Sequence, residues 1–481
     1  MNFSPALPSR TGCVVSSCGR MMVTSAPPRI SVWSCQSSKL LAVFPAPELP
    51  QVDRVEVSPD SELVLAAGYK AGLVLLFSLT DPEWRGRLEC GLAGVVGVTW
   101  AGDSRHVITM GDLGVLLTVW SLQTTTVQYV NNPAVWSTSP GVRLHSRDRT
   151  YSALVERREG RDLLNIFTNH WEPLVSTLLD TEDCAGLAWS PSQDLIAVWD
   201  SSLYYRCQVV SLDGRIVWDY SAYQHQLGIK TVRWSPDGKI LALASHDNKV
   251  RLFCSQFWVL IQEIDHPAAL HEGDPVTTRA LVYSEESLET GDIDAKIALE
   301  MVGGVLVQQS KYQTLQDRPV YLDFSRPDPT KSGGGGGGYK VGVGLCEWSS
   351  CGRYLASRCD NLPTTVWLWD VSSLRLAALM VQSSPVRSLA WDPALPRLAL
   401  VTGQSSLHLW TPLGALISRV PQVIRGDMEA VTDLCWTEDG RSLCLSSSKH
   451  LLTCRLDKAG QETAETESDL DLEPSREETS S

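Results

Sequence analysis

The chain repeats one arrangement of apolar and polar positions. A short apolar strand ends in Trp or a substitute, and a Ser-Pro-Asp-Gly-like turn follows. A second apolar strand, a polar turn and a third strand ending in an aromatic residue complete the unit. The clearest copy reads Val232-Arg233-Trp234, then Ser235-Pro236-Asp237-Gly238, then Ile240-Leu241-Ala242-Leu243-Ala244; after Asp247-Asn248 comes Val250-Arg251-Leu252-Phe253. Pro236 presets φ for a turn and Gly238 tolerates positive φ. Asp247-Asn248 suits a hairpin turn. The runs between are apolar enough for strands packed on both faces.

The position of Trp234 recurs at Val15, Val57, Trp100, His145, Trp189, Trp348, Trp391 and Trp436, at steps of 42 to 45 residues apart from one step of 114. Most units close on an aromatic residue about twenty positions later: Trp33, Phe77, Trp120, Phe167, Phe253, Trp369 and Trp410. Such a period, with three or four strands per unit, predicts an all-β fold, a WD-repeat β-propeller of about nine blade units. One blade cannot cover both faces of its own sheet, so neighbours must stack on it and a ring lets the last cover the first. One large ring is expected, with the tryptophans filling the wedges between blades. The unit around His145 is the most degenerate, with Arg147-Asp148-Arg149 as its turn.

The expected organisation is a flexible N-terminal segment over 1–12, six units over 13–264, an insertion over 265–339, three units over 340–457 and an acidic disordered tail over 458–481. The insertion is either a partner-binding appendage or a tolerated surface loop. Ile297–Val302 and Val320–Phe324 are its candidate strands. Gly333 to Gly338 are consecutive glycines, a flexible tether by composition. Tyr339 follows them, so the Gly-Lys-Ser/Thr close of a phosphate loop is missing. From Gln461 to Ser481 eight acidic residues stand against one Arg, which reads as a solvated end.

Net charge narrows the function classes. At −14 over 481 residues, the chain does not look like a binder driven by phosphate neutralisation. No apolar run is long enough for a membrane-spanning helix, and the start MNFSPALPSR is unlike a secretory signal. Thirteen Cys without a dense framework suggest reduced thiols in the cytosol, so Asn2-Phe3-Ser4 is read as a chance sequon.

The motifs of chemistry are missing or incomplete. His271-Glu272-Gly273 fails the zinc-protease pattern at Pro275, and Gly342-Val343-Gly344 opens a strand without a third glycine. Two Cys trios, Cys346, Cys351, Cys359 and Cys435, Cys444, Cys454, sit at spacings set by strands and are read as structural thiols. His246 is expected to hydrogen-bond within its blade. No catalytic, cofactor or metal residue is assigned. The charged hairpin tip Glu156–Arg161 is read first as a solvated turn, and Tyr204-Tyr205-Arg206 and Tyr220-Ser221-Ala222-Tyr223 first as core or rim packing, with contact surface as the alternative for all three.

Some stretches exceed generic repeat features: Ser211-Leu212-Asp213-Gly214-Arg215, Leu227-Gly228-Ile229-Lys230, His266-Pro267-Ala268-Ala269, Ser384-Pro385-Val386-Arg387, Trp391-Asp392-Pro393, Pro396–Ala399, and Asp360-Asn361 before Val366–Asp370. With the interrupted spacing, they resemble the WRAP-type centrosomal WD-repeat family, also called the WD-repeat protein eight family, from about Val52 to Leu456. The opening Met1-Asn2-Phe3-Ser4 resembles that family too, whereas Pro5 to Thr11, the glycine run and the acidic tail depart from it. The resemblance implies a non-catalytic scaffold of the cytoplasm and cytoskeleton, at the centrosome, centriolar satellites and spindle poles. It would pair with the synovial-sarcoma-X-breakpoint-interacting coiled-coil protein and support microtubule minus-end anchoring, spindle organisation and cilium assembly.

Two other classes stay in view, because fold does not fix function. One is an RNA- or ribosome-associated propeller of the translation-factor type, which the acidic balance disfavours. The other is a hydrolase with carboxylates or His converging in the central channel.

Overall fold

Each repeat folds locally for reasons visible in its turn. In the Ser235–Gly238 turn, Ser235 Oγ donates to the Asp237 carboxylate at 2.6 Å and accepts from the Ile240 N–H at 2.9 Å, while Gly238 takes a φ of 69°. The same Ser/Thr-x-Asp clasp closes Ser58–Asp60, Ser146–Asp148 and Thr437–Asp439. The clasp satisfies turn amides that would otherwise lack partners and aligns the flanking strands for pairing.

The computed structural model describes residues 2–9, 14–26, 28–91, 94–134, 145–146, 148–192, 194–224, 227–271, 274, 276–277, 280–287, 299–302, 305–308, 310–315, 318–322, 341–421 and 430–456. Most of them form nine blades, antiparallel except for one strand added to the seventh. In the sixth, the strands Ile229–Trp234, Ile240–Ser245, Lys249–Cys254 and Val259–Asp265 pair in sequence order, with Trp234 opposite Leu241 and Leu241 opposite Phe253. Blades one, two, three, five and eight are likewise four-stranded, starting at Val14–Val15, Arg54–Val57, Gly97–Trp100, Cys184–Trp189 and Ser388–Trp391. The fourth is a sheet of three strands, Tyr151–Arg158, Arg161–Thr168 and Pro173–Leu178, and His145 keeps only an isolated bridge to Ser152 where the first strand would lie.

The core is divided among the seams. Eight apolar clusters each join consecutive blades, and a ninth, around Leu7, Met22, Cys35 and Leu451, joins the ninth blade to the first and closes the ring. Each fully buried Leu, Ile or Val in a seam stabilises the fold by about 1.5–3 kcal/mol. The repeated tryptophans lie in these seams, as the spacing predicts: Trp189 between blades four and five, Trp234 between five and six, Trp348 between six and seven, Trp436 between eight and nine.

The N-terminal segment departs from expectation. It is not a free leader: Asn2–Phe3 pairs with Arg455 and Cys454, and Leu7–Pro8 with Leu451 and His450. The ninth blade therefore combines Asn2–Phe3 and Leu7–Pro8 with strands from the other side of the repeat array, Asp433–Trp436, Ser442–Ser446 and His450–Arg455. Pro5 and Pro8 are compatible with this because an outer-edge strand leaves one side of its backbone unpaired. Leu7 is buried in the closing seam.

Part of the insertion is built into the seventh blade. That blade pairs Val343–Trp348, Tyr354–Cys359, Thr365–Asp370 and Arg375–Val381, then adds Leu281–Ser287 in parallel to its last strand and Ser310–Leu315 beyond. Leu270, Ala280, Val282 and Leu322 are buried in the seam between blades six and seven. Of the two candidate strands, Leu299–Val302 pairs with Val305–Gln308, and Val320–Tyr321 with Ala269–Leu270. Gly333–Gly338, Arg147 and the tail from Gln461 lie outside the described residues.

Candidate interaction surface

The two tyrosine clusters singled out in the sequence come together beside the last strand of blade five, Ile216–Tyr220. Ser201–Arg206 links the second and third strands of blade five, and Ser221–Gly228 leads from its last strand into blade six. Tyr205 is buried and stands 4.8 Å from Tyr223 and 6.1 Å from Tyr220, both edge-on. Below them lies Arg251, which is also buried. Its guanidinium donates to Asp247 at 2.7 Å, Glu263 at 3.0 Å, the Tyr205 hydroxyl at 2.9 Å and Ser245 Oγ at 3.0 Å. It also lies 5.2 Å from the centre of the Tyr205 ring.

Burial opposes the charge on Arg251, but the hydrogen bond to Asp247 and the surrounding negative charge outweigh it and raise its pKa. Burial likewise works to raise Asp247, and the Arg251 guanidinium reverses this and holds the carboxyl below its ordinary range. Burial pushes the Tyr205 phenol up. The group is a charged, hydrogen-bonded pin that holds Tyr205 against the strand Lys249–Cys254.

That pin leaves other side chains outward. Leu203 is 68% exposed, Tyr204 45% and Leu227 38%. Their backbone is held: Ser201 N–H donates to the Asp183 carbonyl at 2.7 Å, Tyr204 N–H to Ser201 at 3.1 Å, and Gly228 N–H to Ser202 at 2.7 Å. Gly228 is required by close approach, since a Cβ there would lie 2.1 Å from the Tyr204 carbonyl oxygen. Beside this apolar group, Arg206 bonds both oxygens of Asp219 at 2.9 and 2.7 Å, and Arg157, from the charged hairpin of blade four, reaches Asp183 at 2.6 Å.

On the inner strands Arg233 bonds Glu347 at 3.0 and 2.9 Å, Arg54 bonds Glu56, and Lys230 from the sixth blade bonds Asp360. These carboxylates are occupied by cations and do not converge. Among the described residues no group of three or more His, Cys, Asp or Glu is placed to hold a metal. Of the Cys trios, Cys346, Cys359, Cys444 and Cys454 are buried, Cys435 is half-buried and Cys351 exposed. Burial pushes the Cys346 and Cys359 thiols up to about 12. His246 accepts or donates at 2.9 Å with the Gly228 carbonyl, inside its own blade as expected.

Two polar networks went unread in the sequence. His266 joins Ser357 Oγ at 2.7 Å, which also accepts from the Trp369 indole at 3.0 Å, and its other nitrogen faces the Asn248 carbonyl at 2.8 Å. This ties blade six to blade seven. Tyr312, on the outermost added strand, places its hydroxyl 3.0 Å from His408 Nδ1 and accepts from Gln382 at 2.6 Å. The only prior signal was His266 itself, at the head of the insertion.

Comparison with known proteins decides the family. The chain is 36% identical over 463 residues to the WD repeat-containing protein WRAP73 of Mus musculus, covering 95% of this chain and 96% of that one. The chain belongs to the WRAP73 family of WD-repeat proteins. A more distant match within the same repeat class is an uncharacterised WD repeat-containing protein of Schizosaccharomyces pombe, 22% identical over 68% of this chain and 62% of its own. A model of the anaphase-promoting complex subunit 4 WD40 domain matches residues 187–269, the stretch that carries the Tyr205–Arg251 pin of this WRAP73-family chain. Among solved structures, the C-terminal WD40 domain of Sif2 aligns with a TM-score of 0.49 at 12% identity, over 95% of this chain and 99% of that one.

Proposed function

We propose that this chain is a non-enzymatic WD-repeat scaffold that works at the centrosome, centriolar satellites and spindle poles. There it binds a coiled-coil partner, the synovial-sarcoma-X-breakpoint-interacting protein, and supports microtubule minus-end anchoring, spindle organisation and cilium assembly. The observation that carries the reading is the near-complete alignment, at 36% identity, with a WRAP73 protein.

The test is proximity labelling with the tagged full chain in ciliated cells, beside a tagged unrelated propeller. Enrichment of centrosomal and satellite proteins, including the coiled-coil partner, is the expected result. Labelling of ribosomal proteins instead, together with RNA crosslinking equal to that of a known RNA binder, would overturn it in favour of the RNA-associated class.

A further inference from the structure

We infer that the loop surface formed by Leu203, Tyr204 and Leu227 docks a basic amphipathic segment of a protein partner. The inference rests on the scaffold reading above and names the chemistry of one contact.

The first part of the argument is the apolar group itself. A Leu, a Tyr and a second Leu stand exposed side by side, on backbone pinned by the hydrogen bonds of Ser201, Tyr204 and Gly228. The Tyr223 hydroxyl adds a bond to the Leu227 carbonyl at 3.2 Å. The backbone is held at these bonds while Leu203, Tyr204 and Leu227 stay exposed, an apolar group that a partner can cover. A prepaid backbone also lowers the entropic cost of association.

The second part is charge. The patch is bordered by Asp180, Glu182, Asp183 and Asp219, all exposed. Set among them are two cations: Arg157, bonded to Asp183 and to the Glu182 carbonyl, and Arg206, bonded to Asp219 and to the Asp180 carbonyl. Four carboxylates against two guanidiniums leave the border negative by two. An apolar anchor within a negative border fits a segment with apolar residues on one side and Lys or Arg on the other; an acidic segment would be repelled.

The experiment uses the immobilised full chain and three pools of displayed 20-residue peptides: an apolar stripe with Lys/Arg, an apolar stripe with Asp/Glu, and Lys/Arg without a stripe. The first pool is expected to be enriched about tenfold over both others. Leu203→Ser with Tyr204→Ser abolishes the enrichment, Asp180→Asn with Asp183→Asn weakens it and flattens its salt dependence, and Leu413→Ser, at an exposed turn of blade eight, leaves it unchanged. Equal enrichment of the pools, or a Leu203/Tyr204 variant that melts as wild type yet binds unchanged, overturns the inference. Proximity labelling with that variant separates the two readings: retained centrosomal neighbours alongside unaltered peptide binding leave the scaffold standing and remove the patch, whereas a wild-type chain with no such neighbours removes the scaffold.

Discussion

The indole Nε1 of Trp436 donates to the carbonyl of Ala390 at 3.0 Å, across the seam between blades eight and nine. Ala390 is the residue before Trp391, and the same bond recurs at three other seams, though not at Trp100, whose buried indole nitrogen has no partner. Trp391 donates to Glu347 at 3.0 Å, Trp348 to Arg233 at 3.3 Å and Trp234 to Ala188 at 3.1 Å, each acceptor preceding the equivalent Trp of the blade before. His145 stands in the same place in the fourth blade, with Nε2 3.2 Å from the Trp100 carbonyl. The recurring tryptophan is thus both a wedge and a stitch.

Replacing Trp436 by Phe keeps most of the wedge and removes the stitch, leaving the Ala390 carbonyl without that donor. A loss of about 1–2 kcal/mol is expected, whereas Trp436→Ala should cost about 3–5 kcal/mol. Urea unfolding of the two variants beside Trp84→Phe, at an exposed position, checks the ordering.

Acid should weaken the seams that hold buried imidazoles. Burial lowers the pKa of His266 to about 4, and burial lowers that of His408 as well. Both are neutral in the fold but take up a proton near pH 6.5 when unfolded. The unfolded state therefore binds more protons between about pH 6.5 and pH 4, and stability falls as pH drops through that window. At pH 5 the loss for His266 is about 2 kcal/mol relative to pH 7. Thermal unfolding at pH 7 and pH 5 should show this drop, with a smaller drop in His266→Gln, which is less stable at pH 7.

Removal of residues 1–8 takes away the strand that pairs with Cys454 and Arg455 and the Leu7 side chain in the closing seam. The ninth blade then exposes an unpaired edge next to the first. Faster proteolysis within His450–Arg455 and a lower melting temperature are expected, with little change in protection of blade six by hydrogen exchange.

Tyr312→Phe tests how the added strands are held. The phenol bridges Gln382 and the neutral His408 ring, whose other nitrogen faces Ser406 Oγ at 3.0 Å. Loss of the hydroxyl leaves the buried Gln382 amide and His408 Nδ1 without that partner, at about 1–3 kcal/mol. Hydrogen exchange should quicken over Leu281–Ser287 and Ser310–Leu315 first, before the four inner strands of the seventh blade.

The repeat spacing, the turns and the seam position of the tryptophans could all be read from residue order, because each depends on neighbours a few positions away: Ser235 clasps Asp237, and Trp234 ends a strand whose register its own turn sets. Ring closure through Asn2–Phe3, the parallel addition of Leu281–Ser287 to Arg375–Val381, and the meeting of Tyr205 with Arg251 depended on the folded ring. Backbone pairing at a sheet edge uses groups that every residue carries, so residue type does not mark the partner. The Tyr205–Arg251 contact joins a loop of one blade to a strand of the next, and His266–Ser357 spans 91 positions. Those distances are set by how blades stack, a property of the closed wheel and not of any one repeat.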